Sequence, residues 1–479
     1  MADGVDSVVP CAQQALLAGL RDQGLQQVAA DPAGEAAAYA RQALDRLCTD
    51  FADPPVDEAL LAECTDLFAE LDGDAVRDRG RDQHPTSAVA LQRALTERLR
   101  ERGADDDNDD ATLWRRAAQT GARLRAAIEA GRPPERPVPP GAQVPITAER
   151  LTEYLRARLP GAESVDVIDL DVLAGGRSKI TMFARLSGHP SLTEIALRQD
   201  VLTGLVDSIG GATRVADEWP LLAAAFAAGL PVAEPIWLEP AETTLGPPLL
   251  ITRKLPGSAP GDWRGFYEPT DRRTAAAAMQ LARELGRLHS LDVRALDLPG
   301  YPAAPAHDRL LREIDYRWSK WRQDTLQPYP VIDCAFARLR RECRSGLGGP
   351  VLVHGDVLPH NLLVDDGRLT GLLDWEFAHI GDPAEDLAYC RAAVSAAVPW
   401  EDFLAAYQDA GGAAVDERRL AIFGLFALVR NSSLLAGAVR LYRDGIVDFT
   451  TGALGHVSLP TMEMYVAALL EGLDAIVSV

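Results

Sequence analysis

Three polar residues with the chemistry of phosphoryl transfer lie close together in the chain: Asp356, Asn361 and Asp374. The segment His354–Asn361 reads H-G-D-x-x-x-x-N, and thirteen residues after it Asp374 opens the tripeptide D-W-E. Phosphoryl transfer needs an acceptor hydroxyl held in line with the phosphate and a magnesium ion that neutralises developing charge. One carboxylate near the acceptor, with a carboxylate and an amide on the metal, meets both needs. Each residue alone would fit an ordinary turn, but the ordered set favours chemistry.

A short hairpin is expected to bring these residues together. Residues 361–364 and 369–373 read as two apolar strands joined by a turn rich in Asp and Gly. Asn361 starts the first strand, Asp374 follows the second, and Asp356 lies on the loop before them. All three can therefore converge on one mouth.

Upstream of this hairpin, apolar and polar residues alternate at the period of β-strands. Antiparallel strands are predicted at residues 168–172, 180–186 and 195–197, with a helix at 215–229 and further strands at 235–238 and 248–253. A short helix at 147–159 precedes this sheet, and helices dominate after residue 271, apart from the hairpin. The pattern predicts a small sheet lobe, a large helical lobe and a ligand-binding cleft between them.

The first part of the chain has only helical periodicity, up to about Ile128. The acidic run Asp105–Asp110 is predicted to be a solvated turn, and six prolines between Gly131 and Pro145 form a semi-rigid spacer. The predicted units are listed in chain order: an all-helical domain, 1–130; a linker, 131–145; a sheet lobe, 146–253; and a helical lobe, 254–479.

From about Leu151 to Glu471 the chain resembles the aminoglycoside phosphotransferase and choline kinase superfamily. The resemblance rests on H-G-D-x-x-x-x-N followed by D-W-E, where protein kinases carry H-R-D-x-x-x-x-N and D-F-G. It implies an α+β, protein-kinase-like two-lobed fold, here preceded by an all-α domain. It also implies that ATP is the donor, that Asp356 orients or deprotonates the acceptor hydroxyl, and that Asn361 and Asp374 bind Mg²⁺.

Two further residues are expected to support the site rather than to react. The segment Gly381–Leu387 resembles the element that follows D-W-E in the family, in which Asp386 would brace the catalytic loop. His289 ends a predicted helix at 275–290 and is expected in the core.

The sheet lobe matches the family with a substitution at the phosphate-binding lysine. Ile195-Ala196-Leu197-Arg198 stands where protein kinases have V-A-I-K. Strand alternation puts Ala196 and Arg198 on the face toward the nucleotide. The chain has three lysines, and none is expected in a strand near Arg198. We expect the guanidinium to pair with Glu218 and to bind phosphate oxygens.

A second departure concerns the loop that covers the phosphates. Gly175, Gly176 and Ser178 fall between two predicted strands without the pattern G-x-G-x-x-G. Backbone N–H groups and the Ser178 hydroxyl are nevertheless expected to contact phosphate. Thr252 and Lys254 belong to a stretch that resembles the interlobe hinge, whose backbone would bind adenine.

The acceptor is left open by the sequence. An aminoglycoside would suit an acidic cleft, and a hydroxy acid, an acyl thioester or a sugar alcohol fits equally. Contacts are expected from the helical lobe beyond Leu387, and six candidates are Glu401, Asp402, Tyr407, Arg430, Asn431 and Tyr442. The substituted lysine keeps an alternative open, a catalytically silent nucleotide-binding module that acts through its helical N-domain.

Composition limits the partners. The formal charge of −22 disfavours nucleic acid, and no apolar stretch predicts a membrane span. Six scattered cysteines without a C-x-x-C pair indicate free thiols in a reducing, cytoplasmic setting. The expected partner is a small hydroxyl compound, with room for a protein partner or self-association through residues 1–130.

Overall fold

The computed structural model of the chain describes residues 58–72, 91–92, 94–96, 98–99, 111–129, 146–173, 179–200, 214–262, 265–267, 272–296, 298, 306–343, 347–443 and 449–477. The predicted acidic turn at Asp105–Asp110 and the linker at 131–145 lie outside these residues. So do Gly175, Gly176 and Ser178.

A five-stranded antiparallel sheet forms the small lobe, with the strands in the spatial order β1-β2-β3-β5-β4. Their bounds are Asp166–Leu173 for β1, Lys179–Ser187 for β2, Glu194–Asp200 for β3, Pro235–Glu239 for β4 and Leu249–Arg253 for β5. Alternation decides the two faces: Ile195 and Leu197 are fully buried in the lobe's core. Ala196 and Arg198 face the interlobe cleft. The predicted strands and their two faces are therefore confirmed.

Two helices flank this sheet. In the first, α3 (Ala148–Arg158), the Thr147 side chain caps the N-terminus by accepting from the Arg150 N–H at 3.4 Å. The apolar residues of α3 pack on the sheet's buried face. The second helix, α4 (Val215–Ala227), carries the buried Glu218 to the cleft side of β3.

The large lobe consists mainly of helices. Their bounds are α5, Arg272–His289; α6, Ala306–Asp324; α7, Pro330–Glu342; α8, Ala384–Ser395; α9, Trp400–Asp409; α10, Glu417–Arg443; and α11, Phe449–Val477. The predicted hairpin is present as β9 (Leu362–Asp365) and β10 (Arg368–Leu372). Asp366 and Gly367 turn it with φ values of 45° and 74°.

The sequence analysis predicted this hairpin as the one exception among the helices of the large lobe. The structure contains two further short strand pairs that were not predicted. They are β6 (Gly261–Asp262) with β7 (Gly265–Phe266), and β8 (Val351–Val353) with β11 (His379–Gly381). Strands of two or three residues are too short to show an alternating pattern. The β8–β11 pair brackets the catalytic loop and the D-W-E segment.

The described N-terminal helices pack onto the large lobe. Both α1 (Glu58–Asp72) and α2 (Ala111–Glu129), with helical residues between 91 and 99, share one apolar core with α7, α10 and α11. A buried ion pair joins α2 to α11, with Arg125 Nε 2.8 Å from Glu463 Oε2. Gln92 donates to the same carboxylate oxygen at 3.1 Å. The boundary at residue 130 stays a prediction, but this packing joins the helices to the large lobe.

Within the described part of the chain, α10 is the one helix long and apolar enough to cross a membrane. In the most apolar 18-residue stretch of this helix, 72% of the residues are buried inside the protein. A core helix of a soluble protein meets the same criterion, so the length and composition of α10 decide nothing about a membrane.

Candidate active site

A cleft of about 2210 Å³ separates the sheet lobe from the helical lobe. Every predicted site residue within the described ranges lines it: Ala196, Arg198, Glu218, Thr252, Lys254, Asp356, Asn361 and Asp374. The structure thus brings together residues that are up to 178 positions apart in the sequence, from Ala196 to Asp374. Their individual roles stay predictions.

The loop that carries Asp356 is fixed from behind by a buried carboxylate. Asp386 accepts the backbone N–H of His354 at 2.8 Å and of Gly355 at 2.7 Å. Its Oδ2 also lies 3.0 Å from His289 Nε2. Burial raises the pKa of Asp386, but the His289 hydrogen bond and the other partners more than offset this and lower it. Asp386 therefore braces the loop, and His289 lies in the core, as predicted.

Gly355 is required where the loop passes the D-W-E segment. Its φ is 83°, and a Cβ there would lie 2.5 Å from the carbonyl oxygen of Phe377. A larger residue would push the loop away from its neighbour. The Gly355 carbonyl in turn accepts from the buried Arg430 at 2.8 Å, so both peptide groups of this glycine are engaged.

Asp356 is oriented by Asn361. The Asn361 side-chain amide donates to the Asp356 carbonyl at 3.0 Å and to Asp356 Oδ2 at 2.8 Å. Both amide hydrogens are thereby directed at one residue, and the Asn361 Oδ1 is left as an acceptor. On the acceptor side, the half-buried Tyr389 lies beside Asp356, and desolvation together with that carboxylate raises the pKa of the Tyr389 hydroxyl.

Asp374 stands at the end of the hairpin beside Asn361, because the Leu373 N–H donates to the Asn361 carbonyl at 2.8 Å. Its φ of 64° is unusual for a residue other than glycine. Such a conformation costs of order 1–3 kcal/mol and concentrates at functional sites. The predicted convergence of the three polar residues on one mouth is confirmed.

The oxygen atoms of Asp374 and Asn361 fit a magnesium ion that is also bound by phosphates. In the described ranges, no group of three or more His, Cys, Asp or Glu could hold a metal alone. Mg²⁺ is usually held by one or two carboxylates together with substrate phosphates and water. The Asp374 carboxylate and the Asn361 Oδ1 are the hard oxygen atoms that would hold the ion in such a site.

Arg198 links the sheet lobe to Asp374. Its guanidinium lies 2.7 Å from Asp374 Oδ1 and 3.7 Å from Glu218 Oε2. The predicted pair with Glu218 is present, but the closer partner is Asp374. Burial would raise the pKa of Asp374, and the charge and hydrogen bond of Arg198 lower it instead. Asp374 is thus held as a carboxylate.

The expectation that no lysine lies in a strand near Arg198 is wrong. Lys179 is the first residue of β2 and is 2% exposed. Its Nζ lies 3.2 Å from Glu218 Oε1, 3.5 Å from Glu376 Oε2 and 3.8 Å from Asp200 Oδ1. The predicted strand began one residue later, so the alternation rule used for Arg198 was not applied to Lys179.

The hinge joins the two lobes through backbone pairing. Ser258 exchanges hydrogen bonds with Val364 of β9, at 3.1 and 2.9 Å. Thr252 and Lys254 line the cleft above it. The Lys254 backbone N–H donates to the Glu194 carbonyl at 3.3 Å, and its Nζ lies 2.9 Å from Glu194 Oε1. Lys254 is therefore already engaged with β3.

Of the six residues proposed to contact the acceptor, Asn431 lines the cleft. Its side chain donates to the Tyr389 hydroxyl at 3.4 Å. Tyr407 bonds to buried His289, and Arg430 lies behind the catalytic loop over the rings of Phe377 and Tyr389. The other three, Glu401, Asp402 and Tyr442, are absent from the lining of the cleft.

Comparison with known proteins agrees with this geometry. Residues 207–423 match the model of the phosphotransferase enzyme family. A candidate aminoglycoside phosphotransferase from Ralstonia eutropha JMP134 is structurally similar, with a TM-score of 0.51 and 18% identity. The match covers 68% of this chain and 98% of that one, and at this identity it bears on the fold.

Curated relatives are longer proteins. Mouse acyl-CoA dehydrogenase family member 11 is 26% identical over 245 residues, which are 50% of this chain and 30% of that protein. Mouse acyl-CoA dehydrogenase family member 10 is 27% identical over 280 residues, 56% of this chain and 24% of that protein. The chain therefore spans less than a third of their length. The fold, the motifs and the family match of residues 207–423 all agree with the resemblance to the aminoglycoside phosphotransferase and choline kinase superfamily.

Proposed function

We propose that the chain transfers the γ-phosphoryl group of ATP to a hydroxyl of a small molecule. The observation that carries this proposal is the contact between Asn361 and Asp356, 2.8 Å from Nδ2 to Oδ2, at the cleft that Asp374 also lines. Binding a nucleotide alone does not require a carboxylate at the position of Asp356. A fixed carboxylate does suit the deprotonation of an acceptor hydroxyl.

Each residue of the cleft has a task in this proposal. Asp356 accepts the proton of the acceptor hydroxyl, and its bond from Asn361 fixes the plane of the carboxylate. Magnesium would neutralise charge on the transferred phosphate and would be held by Asn361 and Asp374. Arg198 keeps Asp374 ionised and in place. Asp386 and Arg430 keep the loop from shifting when substrates bind.

The acceptor side of the cleft favours a molecule with an apolar body. Beyond Asp356, the cleft continues along α8, α10 and α11 and is lined mainly by aliphatic side chains, among them Leu420, Ala421, Leu428, Leu435, Val457 and Leu469. Of the described residues of these three helices that line it, Glu417 is the one carboxylate. It pairs with Arg391 at 2.7 Å. A polycationic aminoglycoside would need more carboxylates than this, whereas an alcohol with an aliphatic body would bury apolar surface.

A cytoplasmic setting belongs to the same proposal. The described cysteines, Cys64, Cys334, Cys343 and Cys390, are buried free thiols. Free thiols are what a reducing compartment maintains.

The test is phosphoryl transfer itself. Purified protein with MgATP would be offered an aminoglycoside, choline, a sugar alcohol and alcohols with aliphatic bodies, and products that gain a phosphate would be detected by mass spectrometry. We expect transfer to an aliphatic alcohol. Asp356→Ala should lower kcat by roughly 10²–10⁴ with little change in MgATP affinity.

Equal turnover by Asp356→Ala would remove Asp356 from the mechanism. If the wild-type protein binds MgATP but phosphorylates none of these compounds, the alternative of a silent nucleotide-binding module gains support. Absence of nucleotide binding would overturn the proposal.

A further inference from the structure

Lys179 shares the cleft face of the sheet with Arg198. In the antiparallel pair of β2 and β3, Thr181 stands opposite Arg198, and Lys179 stands opposite Asp200. Residues two apart on a strand point to the same face, and Lys179, Thr181 and Phe183 all line the cleft. The intervening Met182 is fully buried in the lobe's core. Lys179 also directly follows the loop predicted to cover the phosphates.

Glu218 is shared by two cations on different strands. One carboxylate oxygen lies 3.2 Å from Lys179 Nζ, and the other lies 3.7 Å from Arg198 Nη1. Lys179 and Glu218 are each 2% exposed whereas Arg198 is 20% exposed, so water screens the Lys179 pair less than the Arg198 pair. The shorter contact belongs to Lys179, although Arg198 occupies the sequence position of the usual lysine.

The remaining partners separate the tasks of the two cations. Arg198 is bound most closely to Asp374, at 2.7 Å. Lys179 contacts Glu376 and Asp200, neither of which is a predicted metal ligand. A guanidinium that orients Asp374 is committed to the metal side of the site. The ammonium of Lys179, in contrast, is paired with Glu218 and not with Asp374.

We propose that Lys179 is the cation that Glu218 presents to the nucleotide phosphates, and that Arg198 positions Asp374. The inference rests on the proposed nucleotide-dependent function and assigns it a residue from a different strand. In protein kinases one lysine on the third strand contacts the phosphates. Here two residues would share the work of that position: Lys179 would bind the phosphates, and Arg198 would position Asp374. Loss of each should weaken nucleotide binding in a different way.

The experiment measures the affinities of MgADP and of adenosine by calorimetry, because only the first carries phosphate. Lys179→Met should weaken MgADP binding by about tenfold or more, the effect of losing one charge-assisted hydrogen bond. Adenosine affinity should stay unchanged, and Lys179→Arg should recover part of the loss. Arg198→Met should instead raise the Mg²⁺ concentration needed for ADP binding. Lys320→Met, which removes a lysine paired with Asp324 at 3.2 Å in α6, is the matched control and should change neither affinity.

A buried lysine that only neutralises carboxylates gives a different result. Unchanged MgADP affinity in Lys179→Met, or equal losses for MgADP and adenosine, would overturn the proposal. If Lys179→Met does not fold, the double variant Lys179→Met/Glu218→Gln removes the cation with its nearest carboxylate and keeps the buried charge balanced. In that double variant, weaker binding of MgADP with unchanged binding of adenosine would support the proposal, and any other ratio of the two affinities would overturn it. A wild-type protein that binds no MgADP would instead contradict the proposed function.

Discussion

At the scale of single residues, Asp374 contacts Arg198 and, in the proposed reaction, would also bind magnesium. Arg198 holds its Oδ1 at 2.7 Å, and the backbone at Asp374 takes a φ of 64°. The carboxylate is thus ionised and aimed before any nucleotide arrives. Such preorganisation costs stability locally and suits a residue that must meet a metal ion.

We predict that Asp374→Asn sharply raises the Mg²⁺ concentration needed for half-maximal ATP binding. An amide binds a hard cation less well than a carboxylate does. Asn361→Ala should have a smaller effect, since it removes an amide. The measurement is ATP affinity titrated against Mg²⁺, and Asp365→Asn, on the exposed hairpin turn, is the control. An unchanged Mg²⁺ dependence in Asp374→Asn would show that Asp374 is not a ligand.

The limits of sequence reasoning are also visible at this scale. Spacing alone predicted that Asp356, Asn361 and Asp374 converge, because one hairpin joins them. The contact between Arg198 and Asp374 could not be predicted, since it joins different lobes. Lys179 could have been found, because the alternation that oriented Arg198 also orients the residue two before Thr181.

At the scale of elements, the start of α8 supports the catalytic loop with two adjacent carboxylates. Asp386 bonds the loop directly, whereas Glu385 lies 3.0 Å from His379 Nε2 and 3.5 Å from Arg430 Nη1. Burial raises the pKa of Glu385 to about 7, and nearby arginines only partly offset this. Arg430 donates a hydrogen bond to the Gly355 carbonyl. Glu385 is therefore connected to the loop through Arg430.

We predict that the stability of the protein depends on pH through Glu385. Its folded pKa lies above the unfolded value, so folding favours the protonated form. The contribution is complete below the unfolded pKa and is lost as the pH rises through about 7. Urea unfolding between about pH 5 and pH 8 should show this loss in the wild type.

Glu385→Gln stays neutral and should remove that part of the pH dependence. Glu401→Gln, at an exposed position of α9, is the matched control and should keep it. If Glu385→Gln unfolds with the same pH dependence as the wild type, Glu385 titrates normally and the buried environment is not responsible.

Element prediction succeeded where a period could develop. The strands β1, β2 and β3 alternate over enough residues to be predicted from the sequence directly. The β8–β11 pair spans three residues on each side, so its pairing comes from tertiary contact rather than from local pattern. This pair nevertheless joins the strand before the catalytic loop to the strand after the D-W-E segment.

At the scale of the whole molecule, the described N-terminal helices are attached to the lobe that forms the acceptor side of the cleft. Glu463, on α11, is fully buried and accepts from Arg125, Gln92 and the Val331 backbone N–H. The same helix lines the cleft with Val457 and Leu469. Periodicity predicted the helices themselves, but nothing in the local sequence indicated this attachment.

We predict that Arg125→Met destabilises the chain by about 3–5 kcal/mol, because it leaves the Glu463 carboxylate buried without its cation. Arg123→Met is the matched control from the same helix. Arg123 is 48% exposed and pairs with Glu63 at the surface, so its loss should cost about 0–1 kcal/mol. Chemical denaturation of the full chain measures both. Similar small losses for the two variants would mean that α2 does not depend on this buried pair.

The shared core of α1, α2, α7 and α11 has a practical consequence for producing the protein in shortened form. A fragment that starts at residue 146 would keep every predicted catalytic residue, yet it would lose the apolar side chains that α1 and α2 contribute to this core. The faces of α7 and α11 that pack against α2 would be exposed to water, and Glu463 would lose Arg125 and Gln92. Recombinant fragments that start at residue 146 should therefore precipitate or self-associate, and solubility during purification would depend on a region that contributes no predicted catalytic group.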